Sequence, residues 1–161
     1  MADLHPPALF AGSFDPPTLG HYDLIERAVS LFGSLRVVVA ENSAKSGLFS
    51  AAEKVELLQK DLKELPVIVD VCDGLIANYA DKHDVKILVR GLRNQNDFKY
   101  EQTMAATNQV LSSNLETIFL PSNSKYLHVS SSLICDVYRN GGTLKEWVSE
   151  NVDQALQNKF K

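Results

Sequence analysis

The string FAGSFDPPTLGH, residues 10–21, carries the residue types that handle a phosphate. An apolar run at 8–11 reads as a short buried strand, and Leu24, Ile25, Ala28, Val29 and Phe32 then recur at helical spacing. Between them a glycine-containing turn leads into a helix start. Backbone N–H groups and the positive end of the helix dipole favour an anion there. Gly12 is expected to let a ligand approach the backbone. Ser13 offers a hydroxyl, and Gly20 leaves room beside His21, whose ring is expected in the first helical turn with a donor aimed at the anion. For any one of these residues a plain strand–helix turn is the alternative. Glycine, hydroxyl and histidine converging on one helix start speak for a site.

Three further loops repeat the theme. Lys45 stands in a polar loop after a β-branched strand at 35–40, and Arg90 and Arg93 follow a strand at 87–89. Val129, Ser130, Ser131 and Ser132 precede a helix at 133–139 that Gly141 and Gly142 close. Four anion-handling side chains, His21, Lys45, Arg90 and Arg93, and a helix start exceed the need of one phosphate. They suit a triphosphate, or a triphosphate beside a second phosphate. Arginine grips phosphate through a planar fork and lysine acts as a point charge. Taken singly, each group has a structural alternative. Arg90 and Arg93 could pair with Asp97 and Glu101, the serines could merely cap a helix, and Lys45 could be solvated. Neither G-x-x-x-x-G-K-[ST] nor G-x-G-x-x-G occurs, which argues against a P-loop and a dinucleotide redox cofactor. With no evident nucleophile–base pair, the expected chemistry is direct displacement at phosphorus, the protein supplying position and charge.

The elements that must position these loops alternate along the chain. Ser50-Ala51-Ala52-Glu53 is a capping box that opens a helix, and Pro66 marks its exit. A strand follows at 67–72, then a short helix at 75–82. After the strand at 87–89 come a long helix at 97–111, a strand at 116–120, and helices at 133–139 and 152–160. This predicts one α/β domain over 1–161, a doubly wound five-stranded parallel sheet with helices on both faces. Ligands of such sheets bind at the carboxyl ends of the strands, where strand order reverses. All four loops follow strands.

Composition narrows the classes. The chain has 161 residues, enough to bury a core without staples, and 45% hydrophobic and 22% charged residues. A net charge of −4 argues against a general nucleic-acid binder. No run approaches the length of a membrane span and no signal peptide is visible. Cys72 and Cys135 have neither redox nor metal-site spacing, so they are expected as buried thiols in a reducing cytoplasm. His5, His83 and His128 read as structural or surface residues, although the backbone of His128 lies near the serine run.

These strings resemble a known family. GSFDPPTLGH resembles the signature of the nucleotidylyltransferase superfamily, and VRGLRNQNDFKYE with VSSSL narrows it to the bacterial phosphopantetheine adenylyltransferases, over essentially the whole chain. The resemblance implies a Rossmann-like fold, a homohexamer and a cytoplasmic enzyme of coenzyme A biosynthesis. Its reaction would join ATP and 4′-phosphopantetheine into 3′-dephospho-CoA and pyrophosphate, with Mg²⁺ held mainly by the ATP phosphates and water and no dedicated metal ligands. Feedback by coenzyme A belongs to the same expectation. By motif match, His21 would stabilise the transition state at the α-phosphorus. Ser13, Lys45, Ile76 and Arg90 would hold phosphopantetheine. Ser13, Phe14, His21, Gly91, Leu92, Arg93, Glu101 and the run Tyr126, Leu127, His128, Val129, Ser130, Ser131, Ser132 would hold ATP.

The chain departs from the family pattern in places. Ser13 stands where threonine is frequent, which keeps the hydroxyl. Tyr126-Leu127-His128 departs from the commoner versions, which touches adenine contacts made by those side chains but not backbone ones. Ser149 stands for a frequent proline, with no evident functional consequence. The rivals are another adenylyl- or cytidylyltransferase of the superfamily and a non-catalytic nucleotide-sensing module. Thr18 in place of the first histidine of H-x-G-H, and the RGLR string, speak against the first. The complete set His21, Lys45, Arg90, Arg93 and Glu101 speaks against the second.

Overall fold

Residues 8–12, all apolar or glycine, form the centre of the molecule. They make strand β1 (Ala8–Gly12), flanked on both sides and almost completely buried. A computed structural model describes residues 7–41 and 47–161. Among these the strands are β1, β2 (Leu35–Glu41), β3 (Val67–Asp73), β4 (Ile87–Leu92) and β5 (Glu116–Pro121). The helices are α1 (Leu19–Phe32), α2 (Ala51–Asp61), α3 (Ile76–Lys82), α4 (Gln95–Leu111), α5 (Ser131–Arg139) and α6 (Glu150–Lys159), with a 3-10 turn at Ser124–Tyr126. Every strand pairing is parallel, in the order β3-β2-β1-β4-β5. The order reverses between β1 and β4, so a crevice opens there at the carboxyl ends of the strands.

Alternation along the strands sorts the core into two faces. Ala8, Phe10, Val37, Val39 and Val89 face α1 and α2, where Leu24, Ile25, Ala28, Leu58 and Leu62 meet them. Leu9, Ala11, Val38, Cys72 and Leu88 face the other way, onto Ala77, Tyr79 and Ala80 of α3. A third cluster packs α5 and α6 against α2 through Leu57, Ile134, Tyr138, Val152 and Leu156. The expected layered architecture is therefore present. Truncating a fully buried side chain such as Ile25 or Leu58 would cost about 2–5 kcal/mol.

Two of the boundaries that differ from the sequence reading matter to the site. β4 does not end at Val89. Arg90, Gly91 and Leu92 stay in the sheet, opposite Phe119, Leu120 and Pro121 of β5. Arg90 thus projects from a strand and not from a loop. Likewise α5 begins at Ser131, so the serine run is a cap and a first turn, not a lead-in. Ser149, where the sequence suggested no role, caps α6 by accepting from Val152 N–H and donates to Asp61 at 2.6 Å. Asp61 also takes Tyr22 at 2.5 Å and Asn151 at 2.6 Å, which fastens α6 and α1 to the end of α2.

Candidate active site

The turn after β1 is organised by one carboxylate and one aromatic ring. Asp15 accepts from the backbone N–H groups of Leu48 (2.8 Å) and Phe49 (2.9 Å), tying the turn to the entrance of α2. Phe14 adopts a left-handed backbone (φ 47°), and its ring is fully buried. That ring lies beneath Gly12, where an added Cβ would stand 3.2 Å from it, and meets the His21 ring edge-on at 5.1 Å. Gly12 therefore makes room for Phe14, and it also lines the cavity described below. The Phe14 side chain supports His21 and does not line that cavity.

His21 is mounted by an unusual capping box. Thr18 is the N-cap of α1 and His21 takes the third helical position. The Thr18 hydroxyl accepts from His21 N–H at 3.3 Å, and the Thr18 N–H donates to His21 Nδ1 at 3.0 Å. A glutamate or glutamine usually makes that return bond. A backbone N–H can only donate, so Nδ1 carries no hydrogen and the neutral ring bears its proton on Nε2. Burial brings the His21 pKa down to about 4, with the guanidinium groups of Arg93 and Arg90 adding to the effect. At neutral pH the ring is an uncharged donor. Gly20 admits Tyr126, whose Cβ would be 3.3 Å from an added methyl, so the room beside His21 is filled by that ring.

Arg90 and Arg93 make both of the contacts that the sequence left as alternatives. Arg90 forms a fork to Glu101 of α4, Nε to Oε2 at 2.8 Å and Nη2 to Oε1 at 2.5 Å, and reaches the carbonyl of Ala11. Glu101 is 7% exposed and its carboxylate is committed to Arg90. It aims the guanidinium and also lines the first cavity. Arg93 pairs with Asp97 at 3.0 Å and donates to the Val129 carbonyl at 3.1 Å, joining β4 to the segment before α5. At α5, Ser130 caps Leu133 N–H and the Ser131 hydroxyl donates to the Pro16 carbonyl.

These groups enclose a cavity of about 280 Å³ at the switch between β1 and β4. Ser13, His21, Arg90, Gly91, Arg93, Glu101, Tyr126, Val129, Ser130 and Ser131 line it, as the sequence reading required. Thr18 and Asp97 line it as well. Thr18 was legible as a cap only if histidine is admitted at the third position. Leu92, Leu127, His128 and Ser132 do not line it. His128 instead sets its ring against Trp147 at 4.7 Å, and Leu127 is exposed. Lys45 lies outside the described residues. A second cavity of about 190 Å³ adjoins the first and shares Ala11, Arg90 and Glu101 with it. Ile76 lines this one, with Leu75, Tyr100, Met104, Asn108 and Thr117, which the sequence did not single out for a site. Its wall is mostly apolar, whereas the first cavity is ringed by donors.

The cytidylyltransferase-like family model matches residues 9–137. Phosphopantetheine adenylyltransferase of Thermotoga neapolitana is 46% identical over 155 residues, 96% of both chains. The enzyme of the same name from Caldanaerobacter subterraneus is 45% identical over 96% of this chain and 97% of its own. Among solved structures, a bifunctional NMN adenylyltransferase/ADP ribose pyrophosphatase from Francisella tularensis superposes with a TM-score of 0.73 at 13% identity. It covers 94% of this chain and 48% of that one, and the likeness speaks to the fold alone. A nucleotidyltransferase sheet, a histidine held at its switch point and near-full-length identity to those enzymes lead to one conclusion: the chain belongs to the phosphopantetheine adenylyltransferase family.

Proposed function

We propose that this protein transfers the adenylyl group of ATP to 4′-phosphopantetheine, giving 3′-dephospho-CoA and pyrophosphate, a step of coenzyme A biosynthesis. The observation that carries the reading is the pair of adjoining cavities. One is donor-rich, the other is walled mostly by apolar side chains, and both share Arg90. A triphosphate suits the first, and a phosphorylated, mostly apolar arm suits the second.

In the mechanism, an oxygen of the acceptor phosphate forms a bond to the α-phosphorus while the bond from that phosphorus to the bridging oxygen breaks. Pyrophosphate leaves with the electron pair. His21 donates its Nε2 hydrogen to the non-bridging oxygen on which charge grows. It shuttles no proton, because Nδ1 is occupied and the ring is neutral. Arg90, held by Glu101, takes the acceptor phosphate, and Ile76 borders its arm. Ser13 sits between the two substrates, and Lys45 serves the acceptor phosphate. Arg93, Gly91, Tyr126, Val129 and the Ser130–Ser131 start of α5 hold ATP. Leu92, Leu127, His128 and Ser132 are assigned at most backbone contacts.

Mg²⁺ enters with ATP as part of the substrate. The two carboxylates of the first cavity, Asp97 and Glu101, are paired with Arg93 and Arg90. Among the described residues no three ligating side chains cluster. These surroundings fit an ion that phosphate oxygens and water coordinate. The ion would polarise the phosphates and offset charge on the leaving pyrophosphate.

The chain works as one domain, residues 1–161, in a cytoplasmic homohexamer. Support for assembly comes from α4, where Phe98, Tyr100, Met104, Val110 and Leu111 are left exposed. Support for a reducing compartment comes from Cys72 and Cys135, both buried free thiols. Coenzyme A carries the same arm as the acceptor, so it would compete for the second cavity. The test is release of pyrophosphate from ATP. It should require 4′-phosphopantetheine, and nicotinamide mononucleotide should not replace it. Release with the latter alone, or ATP binding without turnover on any acceptor, would overturn the assignment.

A further inference from the structure

Thr18 makes more contacts with His21 than capping requires. Its hydroxyl is the N-cap acceptor for His21 N–H, and the same oxygen stands 3.1 Å from His21 Nδ1. Thr18 is 3% exposed, so solvent does not take the hydroxyl proton. An oxygen that accepts from one nitrogen still has its own hydrogen to give. Among the described residues the acceptor within reach is Nδ1. Nδ1 then receives two donors from one residue, the backbone N–H and the hydroxyl.

The charges around the ring explain why a second donor matters. Arg90 and Arg93 share the cavity wall with His21, each tethered by a carboxylate of α4, and Phe14 closes the ring from beneath. Ser130 and Ser131 of α5 add only neutral hydroxyls to that wall. Two cations beside an imidazole favour a lone pair turned towards them. That is the tautomer with its hydrogen on Nδ1, and it would leave Nε2 unable to donate to a phosphate. The Thr18 bonds oppose that preference.

We infer that Thr18 is a positioning residue whose hydroxyl, as a second donor beside its own backbone N–H, holds His21 in one tautomer against the two nearby cations, keeping the hydrogen on Nε2 where the reacting phosphate is to lie. The inference deepens the adenylyltransfer reading and rests on it. It makes Thr18 matter to the transition state through His21.

Capping and tautomer selection can be separated by substitution. Asparagine is as good an N-cap as threonine, but the amide oxygen that would accept His21 N–H has no hydrogen to return to Nδ1. Thr18→Asn should therefore keep the melting temperature while lowering kcat about tenfold, the loss expected of one neutral hydrogen bond felt at the transition state. The KM values for ATP and 4′-phosphopantetheine should stay within about threefold, since the loss is confined to the transition state. Thr18→Ser, which keeps both functions of the oxygen, should recover kcat. Equal kcat in the Asn and Ser variants would overturn the inference, as would a loss confined to KM. Should Thr18→Asn lower the melting temperature, ¹⁵N spectra of its folded form at low temperature decide. A mixed His21 tautomer supports the inference, and an unchanged Nε2–H form overturns it. If the unaltered protein itself fails to transfer adenylyl groups, the underlying reading falls instead. The tautomer spectra still report on Thr18.

Discussion

Two helix starts face the same cavity, and they are finished differently. At α1 most of the free donors are already used. Leu19 N–H goes to the Trp147 carbonyl at 2.8 Å, His21 N–H to the Thr18 hydroxyl, and even the Thr18 N–H to the His21 ring. At α5 the Ser130 hydroxyl takes only Leu133 N–H. The N–H groups of Ser131 and Ser132 have no partner among the described residues. Helix dipoles are alike at both ends, so the difference lies in the caps. The α5 start is left open for an anion. The α1 start is spent on holding a side chain. A helix N-terminus beside a pocket is thus no guarantee of a phosphate site, and who satisfies its N–H groups decides its use.

The contrast can be broken most directly at His21. His21→Ala should lower kcat by about 10²–10³-fold, roughly 3–4 kcal/mol of lost transition-state stabilisation. Both KM values should stay near those of the unaltered enzyme in steady-state assays. A large rise in the KM for ATP would make α1 a binding site like α5.

Arg90 tests the boundary between the two cavities. Arg90→Ala should raise the KM for 4′-phosphopantetheine well above that for ATP. It would also strand the buried Glu101 carboxylate, costing about 3 kcal/mol in denaturant unfolding. Adding Glu101→Gln should restore much of the stability but not the affinity. If stability and affinity returned together, Arg90 would be structural only.

Acid should also single out the α1 mount. The folded pKa of His21, about 4, lies below its ordinary 6.5, so the unfolded chain binds the proton more readily. The resulting stabilisation is complete above about pH 6.5 and is lost as pH falls towards 4, about 2–3 kcal/mol in all after allowing for partial exposure of the ring. The difference in unfolding free energy between the protein and His21→Gln, followed from pH 7 to 4, should show that loss. A flat difference would mean that the ring is not buried neutral.

The smallest effect belongs to α5. Ser130→Ala removes a cap worth about 1 kcal/mol and should raise the KM for ATP a few-fold with kcat nearly unchanged. A fall in kcat like that of His21→Ala would erase the distinction between the two helix starts.

The parts of this architecture that follow local rules were legible in the sequence. The Ser50–Glu53 box is present, with Glu53 N–H on the Ser50 hydroxyl at 3.3 Å and Ser50 N–H on the Glu53 carboxylate at 2.8 Å. The strand–helix alternation also held, because period-2 and period-3.6 patterns survive in a short chain. What long-range contact decides was not legible. Arg90 and Gly91 look like a loop until β5 supplies partners that keep them in the sheet. Nor does a pattern show that the Phe14 ring, beneath Gly12, supports His21. The Asp61 junction gathers Tyr22, Ser149 and Asn151 from segments up to 90 residues away from it. No window of sequence contains them together. The Thr18–His21 box escaped because histidine is not the residue that the capping pattern expects.

That box holds the central claim, that α1 presents a neutral imidazole with its hydrogen on Nε2. Long-range ¹H–¹⁵N spectra of the histidine side chains, with His21→Gln to assign the signal, measure it without substrate. The account predicts a His21 ring protonated at Nε2 and bare at Nδ1, with shifts constant from pH 8 down to about 5. A ring that titrates near pH 6.5, or carries its hydrogen on Nδ1, would contradict it.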